Sequence, residues 1–385
     1  MKALTLNAEW APKPDYNMSD RERDTRKIRN GFMVWKNPSL DLGEVPDPTP
    51  APDEVILEIA AVGICGSDMH MYESGDDGYM LYPGYVTAPN ILGHEFAGKV
   101  VEVGSDVTEL KVGDLVAVEE IQWCGVCTAC RRGFVNHCQN MEELGFTTPG
   151  AMAQYTPVRA KYCWKLDEIA EQFGEEEALV MGAMVEPTGV SYQGMFNRLH
   201  NWQPGNNVVI FGAGPIGLAA EALAIAAGAG KVIMFDPSES RRKVADDMGA
   251  SVSLSPVDID LDEAIMEHTL GRGVDYVIEC AGVADKTIEP LNKCLAVNAS
   301  IIDIGMGGKR PTLPTVTYKQ QGVQLAGSLG HSGSGTFQNV IRLMAAGRID
   351  MRKMVSARMP LDEALDAFKR LESREDAKII LQPNE

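Results

Sequence analysis

No apolar run in the sequence reaches the roughly 20 residues that a helix needs to cross a bilayer, so a transmembrane helix is excluded as a reading. Positive charge is also short: 35 Lys and Arg stand against 54 Asp and Glu, for a formal net charge of -19. That balance repels polyanions at long range and argues against nucleic acid or an anionic membrane surface as a partner. The start lacks the marks of a secretory leader. Met1 to Leu6 runs into a polar, proline-punctuated stretch from Asn7 to Asn30, with no basic start, apolar segment or small-residue cleavage site. A cytoplasmic protein with no membrane partner is expected. Internal repeats and low-complexity tracts are missing too. Eight cysteines then need an explanation, and in a chain expected in a reducing compartment clustered thiols point to metal ligands before disulfides.

A chain of 385 residues exceeds the usual single domain, which favours two folding units. After the prolines of Pro46 to Pro52, short β-branched runs from Val55 to Val62, Phe96 to Val103, Leu115 to Val118 and Ala153 to Val158 alternate with glycine turns. They predict a β-rich N-terminal domain. From Asn207 the pattern becomes strand and helix in turn. Strands are expected at Val208 to Phe211, Lys231 to Asp236, Val274 to Glu279, Ser300 to Ile304 and Gln324 to Gly327. Helices are expected at Pro215 to Ala227, Glu239 to Met248, Leu261 to Thr269 and Asp285 to Leu295. That alternation predicts an α/β fold with a doubly wound parallel sheet. Further helices are expected near Thr336 to Ala346 and Leu361 to Leu371, while the charged stretch Ser19 to Arg29 reads as a solvated helix or loop.

The strand at Val208 runs into Gly212-Ala213-Gly214-Pro215-Ile216-Gly217 and then a helix rich in small residues. In that context each glycine has a mechanism. Gly212 makes the tight turn, Gly214 lets a pyrophosphate approach the backbone, and Gly217 allows close packing of the helix. The helix N-terminus then offers unpaired N–H groups to the phosphates. Asp236, about 20 residues further on, is placed to accept hydrogen bonds from a ribose diol and to repel a 2′-phosphate, so NAD is expected over NADP. The cofactor-binding candidates are Gly212, Gly214, Ile216, Gly217 and Asp236, with Arg241 one helical turn on. For Arg241 and Arg242 ordinary surface charge is an equal reading.

Four thiols fall in the pattern Cys124-x2-Cys127-x2-Cys130-x7-Cys138. Such a spacing folds around one ion, and zinc accepts a closed tetrahedral four-sulfur shell. With no open position the site is read as structural. An iron–sulfur cluster stays open as the alternative, and His137 is read as a solvated neighbour of Cys138. Three further residues, Cys65 in Gly63-Ile64-Cys65-Gly66-Ser67-Asp68, His94 in Gly93-His94-Glu95, and Glu186 in Val185-Glu186-Pro187, carry metal-ligating groups that spacing alone does not unite.

Together these motifs resemble the zinc-containing medium-chain dehydrogenases, the alcohol dehydrogenase-like superfamily, over nearly the whole chain. The strand from Val274 to Cys280 followed by Ala281-Gly282 belongs to the same likeness. The resemblance implies a GroES-like catalytic domain over residues 1–190, a Rossmann NAD-binding domain over 191–330, and a segment 331–385 that returns to the catalytic domain. It implies two Zn2+ ions per chain, one structural and one catalytic. Cys65, His94 and Glu186 would hold the catalytic ion with water or substrate in the remaining position, and Glu95 would lie beside it, able to exchange with that water. Ser67 and His70 would carry the proton out. A glutamate at 186 places the chain with the polyol, threonine and butanediol branches, and since family members are usually dimers or tetramers the resemblance implies a homo-oligomer.

Four stretches resemble one subgroup more closely, the scyllo-inosose 3-dehydrogenases of inositol catabolism: Cys65 to Met71, Gly78 to Gly84, Leu144 to Phe146, and Gly330 to Phe337. Tyr79, Tyr82, His331 and Ser332 lie in them and offer the hydrogen-bond partners that a polyol or inosose substrate needs when its hydroxyls lose water. Ordinary loop residues are the equal alternative. An N-terminal insertion from about Asn7 to Gly31 departs from the superfamily's short start, and a surface addition at a subunit contact is one reading of it. Rival functions are an L-threonine, sorbitol or 2,3-butanediol dehydrogenase, and a non-catalytic NAD-sensing zinc-binding protein. The last predicts one zinc per chain and leaves Cys65, His94 and Glu186 unexplained.

Overall fold

Branched and small apolar side chains dominate residues 54 to 63, and in the computed structural model, which describes Met1–Asn384, they form the central strand Glu54–Gly63 of a seven-stranded sheet. The sheet runs in the order Cys163–Lys165, Leu115–Val118, Glu95–Val103, Glu54–Gly63, Lys378–Gln382 and Val355–Pro360, with Tyr155–Arg159 also paired to the central strand. Side chains of its inner face, among them Leu57, Ile59, Val62, Phe96, Val100 and Ile379, are buried in one core. A three-stranded sheet adjoins it in the same unit, where Lys2–Trp10 pairs antiparallel with Trp35–Glu44 from Lys2↔Glu44 to Trp10↔Trp35.

The second sheet has six strands, all parallel, in the order Val252–Leu254, Lys231–Phe235, Asn207–Phe211, Val274–Glu279, Leu295–Asp303, Gln324–Gly327. Numbered along the chain that order is 3-2-1-4-5-6, the doubly wound arrangement that binds dinucleotides at its switch point. Strands buried on both faces must be apolar almost throughout, and Val208, Val209, Ile210 and Phe211 are all buried. The helices Pro215–Ala226, Glu239–Met248 and Leu261–His268 lie close to their expected bounds. The expected α/β class, a doubly wound parallel sheet with a separate β-rich unit, is what the chain adopts.

Two expectations change. The helix read from Asp285 to Leu295 is only Ala284–Thr287, and the next strand begins early, at Leu295. Pro290 explains the loss, since a proline has no N–H to continue the helix and disfavours helical geometry in the residue before it. The chain also divides differently near its end. One compact unit comprises Met1–Glu186, Ala357–Ser373 and Lys378 onward, and the other comprises Pro187–Ser356 with Arg374–Ala377. Residues 331–356 therefore stay with the parallel sheet, because the helix Thr336–Ala345 is tied there: Asn197 donates to Thr336 at 3.0 Å and Asn339 to the Tyr192 hydroxyl at 3.0 Å. Among the described residues no helix is long and apolar enough to cross a membrane.

Candidate active site

In the first unit the chain leaves the central strand at Gly63, and Cys65 becomes the N-cap of the short helix Gly66–Tyr72. Asp68 at the third helical position turns back to accept from the Cys65 N–H at 2.9 Å, which fixes where the thiol points. His94 and Glu95 arrive at the start of the neighbouring strand Glu95–Val103. Gly93 just before them has φ +93°, and a Cβ there would lie 2.8 Å from the Met152 backbone nitrogen, so only glycine makes that turn. The result brings Cys65 Sγ, one His94 ring nitrogen and one Glu95 oxygen within 4.8 Å of one another. His94 and Glu95 are buried.

Neighbouring groups orient this trio. His94 Nδ1 faces Asp68 Oδ1 at 3.5 Å and Nε2 faces the Ser67 hydroxyl at 3.4 Å. Burial alone would lower the basicity of His94, but Asp68 and the Cys65 thiol outweigh it and raise the imidazole well above its usual range. His94 Nδ1 and Asp68 Oδ1 meet as an ion pair without a hydrogen bond; a carboxylate behind a histidine is the arrangement by which metal sites fix a ring's tautomer. Glu95 Oε2 accepts from the ammonium of Lys378 at 2.5 Å, and Lys378 also donates to the Ile64 carbonyl at 3.0 Å. Burial works to lower Lys378, yet Glu95, with Cys65 and Glu186, holds it above its ordinary value and therefore charged. The other oxygen of Glu95, Oε1, is buried without a hydrogen-bond partner. A soft thiolate, an imidazole and a carboxylate with one unsatisfied buried oxygen make a donor set suited to zinc.

Glu186 is buried, and its carboxylate lies within 4.8 Å of that of Glu120, outside the trio itself. His70 sits in the last turn of the same helix as Ser67, partly exposed, with Nδ1 3.1 Å from Glu73. Tyr82 is stacked on Phe146, with ring centroids 5.5 Å apart, and Phe146 lies 4.5 Å from the His94 ring, so Tyr82 stands beside the trio. Tyr79 does not; its hydroxyl donates to the Ala11 carbonyl at 2.8 Å. His331 and Ser332 are buried in the second unit, with the His331 ring 4.9 Å from Phe337.

Cys124, Cys127, Cys130 and Cys138 converge with their sulfurs within 4.8 Å, and none is in a disulfide. Backbone N–H groups point at the sulfurs: Cys124 N to Cys138 Sγ at 3.3 Å, Cys127 N to Cys124 Sγ at 3.4 Å, and Gln139 N to Cys127 Sγ at 3.4 Å. Donors of this kind favour thiolates, and the N–H groups of Val126 and Cys127 pull the Cys124 thiol down to about 6. His137 is outside the set.

In the second unit Gly212 has φ +95°, and Gly214 caps a helix whose first residue is Pro215. A Cβ on Gly217 would lie 1.7 Å from the Gly212 carbonyl oxygen. Ile216 offers its carbonyl to the Ser191 hydroxyl at 2.7 Å. Asp236 is buried at the end of its strand, where Oδ2 accepts from Ala213 N at 2.7 Å and Oδ1 from Ser238 N at 2.8 Å. It therefore braces the glycine turn itself. Arg241 is turned to the Asp376 carbonyl, at 3.2 and 3.0 Å, and Arg242 to the carbonyls of Asp236 and Pro237.

Asp68, Lys378 and Phe146 had no role assigned from sequence, although Asp68 and Phe146 lie in stretches already named. Asp68 had a visible signal, an acid at the third position of a helix opening on Cys65. A lysine in the otherwise apolar strand Lys378–Gln382 was the signal for Lys378.

Residues 51–168 match the family profile of the alcohol dehydrogenase GroES-like domain, and residues 215–346 that of the zinc-binding dehydrogenases. The chain is 38% identical over its full length to scyllo-inosose 3-dehydrogenase of Thermotoga maritima, covering all of that protein. It is 32% identical to L-threonine 3-dehydrogenase of Pyrococcus horikoshii, over 94% of this chain and 99% of the other. A solved structure from Thermotoga maritima superposes with a TM-score of 0.95 at 38% identity, over 99% of this chain and 100% of that one. The chain belongs to the zinc-containing medium-chain dehydrogenases, as a zinc-dependent alcohol or polyol dehydrogenase.

Proposed function

We propose that the protein interconverts a secondary alcohol of a polyol, of the scyllo-inosose and cyclic polyol class, and its ketone, with NAD as hydride partner and two zinc ions per chain. The observation that carries this reading is the convergence of Cys65, His94 and Glu95 beside Tyr82, within a chain 38% identical over its full length to a scyllo-inosose 3-dehydrogenase. Cys65 and His94 would hold a catalytic zinc together with a carboxylate, Glu95 as the residues stand, with Glu186 the alternative. Zinc bound there supplies Lewis acidity to an alcohol oxygen.

The chain's own residues do the rest. Asp68 fixes His94 from behind and the Cys65 backbone from below. Lys378 balances the charge of Glu95 where both side chains are buried. The Ser67 hydroxyl, 3.4 Å from His94 Nε2, is placed to take the alcohol's proton, and His70, one turn along the helix and partly exposed, to release it to solvent. Tyr82 and the nearby carboxylate of Glu120 offer a donor and an acceptor to neighbouring hydroxyls of a polyol. Asp236 supports NAD, since a buried carboxylate at this point disfavours a 2′-phosphate. The four-cysteine lobe would hold the second, structural zinc.

The test is a panel of myo-inositol, scyllo-inosose, sorbitol, L-threonine and 2,3-butanediol with NAD and with NADP. Highest kcat/KM for an inositol or inosose with NAD is expected. Faster turnover of threonine or butanediol, or a preference for NADP, would replace that part of the reading.

A further inference from the structure

The N-terminal insertion joins two parts of the first unit that are far apart in sequence. Between the paired strands Lys2–Trp10 and Trp35–Glu44 the chain makes a short helix, Asp20–Thr25, and folds over residues 78 to 86. Ile28 and Val86 exchange both backbone hydrogen bonds at 2.8 Å, Gly31 N donates to the Gly84 carbonyl at 3.3 Å, and Phe32 N to the Tyr82 carbonyl at 3.1 Å. The approach is close enough that a Cβ on Gly31 would lie 2.6 Å from Met80 Sδ and from Val86 Cγ1. At its other end Arg21 donates to the Gln139 carbonyl at 3.3 Å and Asn140 Oδ1 at 3.4 Å, and Lys27 pairs with Glu142, all just past Cys138.

One buried carboxylate holds this segment in shape. Glu22, 5% exposed, accepts from the Ser19 N–H at 2.9 Å, the Ser19 hydroxyl at 2.6 Å, the Tyr16 hydroxyl and the Arg29 N–H at 3.1 Å. Its partners lie on both sides of the helix, so the acid closes the segment into a rigid loop. Fixing such a loop spares the ordering cost that a mobile one imposes on each binding event.

We infer that Glu22 is a positioning residue for substrate recognition: the insertion is a strap, closed on Glu22, that sets Tyr82 beside the Cys65–His94–Glu95 trio. The inference rests on the proposed role of Tyr82 toward a polyol. Gly84 fits the same purpose, because a Cβ there would lie 2.5 Å from the Tyr82 hydroxyl and displace it.

The test compares wild type, Glu22→Gln, the milder Arg21→Ala/Lys27→Ala double variant, and Tyr82→Phe by hydrogen exchange and steady-state kinetics. Exchange of the amides that join the two segments, those of Ile28, Gly31, Phe32 and Val86, should rise in the first two variants and stay at the wild-type level in Tyr82→Phe. In Glu22→Gln and Tyr82→Phe alike, KM for the best polyol should rise about tenfold, the worth of one good hydrogen bond, with kcat within about twofold and NADH affinity unchanged. Unchanged exchange at Ile28, Gly31, Phe32 and Val86 in Glu22→Gln would overturn the strap. Raised exchange with an unchanged KM would overturn its role in recognition. An unchanged KM in Tyr82→Phe alone would instead remove the role given to Tyr82, and the exchange result would still stand as a separate finding.

Discussion

The ammonium of Lys378 and the carboxylate of Glu95 meet at 2.5 Å with both side chains wholly buried, 283 positions apart in the chain. Taking one member of such a pair away leaves the other charge uncompensated at low dielectric, a loss of about 3–5 kcal/mol. Lys378→Met should therefore lower the denaturation midpoint sharply and weaken zinc retention. Lys378→Met with Glu95→Gln should recover much of the stability without recovering turnover. Chemical denaturation of the two variants, read beside their metal content, checks this.

The four-cysteine lobe is expected to hold its ion independently of the trio. Cys127→Ser should cost one zinc per chain and lower thermal stability, while NADH binding, which the proposed reading assigns to the glycine turn Gly212 to Gly217, stays within about twofold because sites that share no partners act nearly independently. Elemental analysis with a fluorescence titration of NADH separates the two effects.

Asp236 braces Ala213 and Ser238 and, on the reading above, the ribose of NAD. Asp236→Ala should raise the Kd for NADH about tenfold or more, through lost hydrogen bonds to a charged acceptor worth roughly 1.5–3 kcal/mol, and should narrow the gap between NAD and NADP. Titration with both reduced cofactors measures it.

Glu221 gives a pH prediction. It is buried on the helix Pro215–Ala226, and burial pushes it up to about 8, with the Ala250 N–H and Lys353 opposing and Asp246 adding. An acid raised in the folded state holds its proton where the unfolded chain has already released it. Folding then loses stability as pH rises from the unfolded value of about 4.3 toward 8, and the loss levels off above that. Glu221→Gln should leave the thermal midpoint near wild type at pH 4.5 and raise it increasingly toward pH 8. Calorimetry across that range reads the slope, and a midpoint difference that does not grow with pH would contradict the assignment.

How legible all this was in the sequence depended on whether the chemistry is local. The glycines of the turn Gly212 to Gly217 fall within six residues, so their spacing carried its meaning even though Asp236 braces the turn from the next strand, and the cysteine lobe was equally local. Cys65 and His94 come together only because adjacent strands of one sheet present them, and no spacing announces that; the resemblance to a family did. Lys378 reached Glu95 through strand pairing near the C-terminus, with Ile380 opposite Gly63, a register that periodicity does not specify. Pro290 cut short a helix that apolar spacing had favoured. Tyr79 and Tyr82, three residues apart in one loop, were equivalent candidates in sequence, and the insertion separated them by engaging the Tyr79 hydroxyl at Ala11.

In the proposed function a zinc ion held at Cys65 and His94 makes this chain a dehydrogenase. Replacing Cys65 by alanine and measuring zinc per chain together with NAD-linked alcohol oxidation tests it most directly. Zinc should fall from two ions to one, turnover should drop by about three orders of magnitude or more as Lewis-acid assistance is lost, and NADH should still bind. An unchanged zinc content with turnover retained would contradict the account.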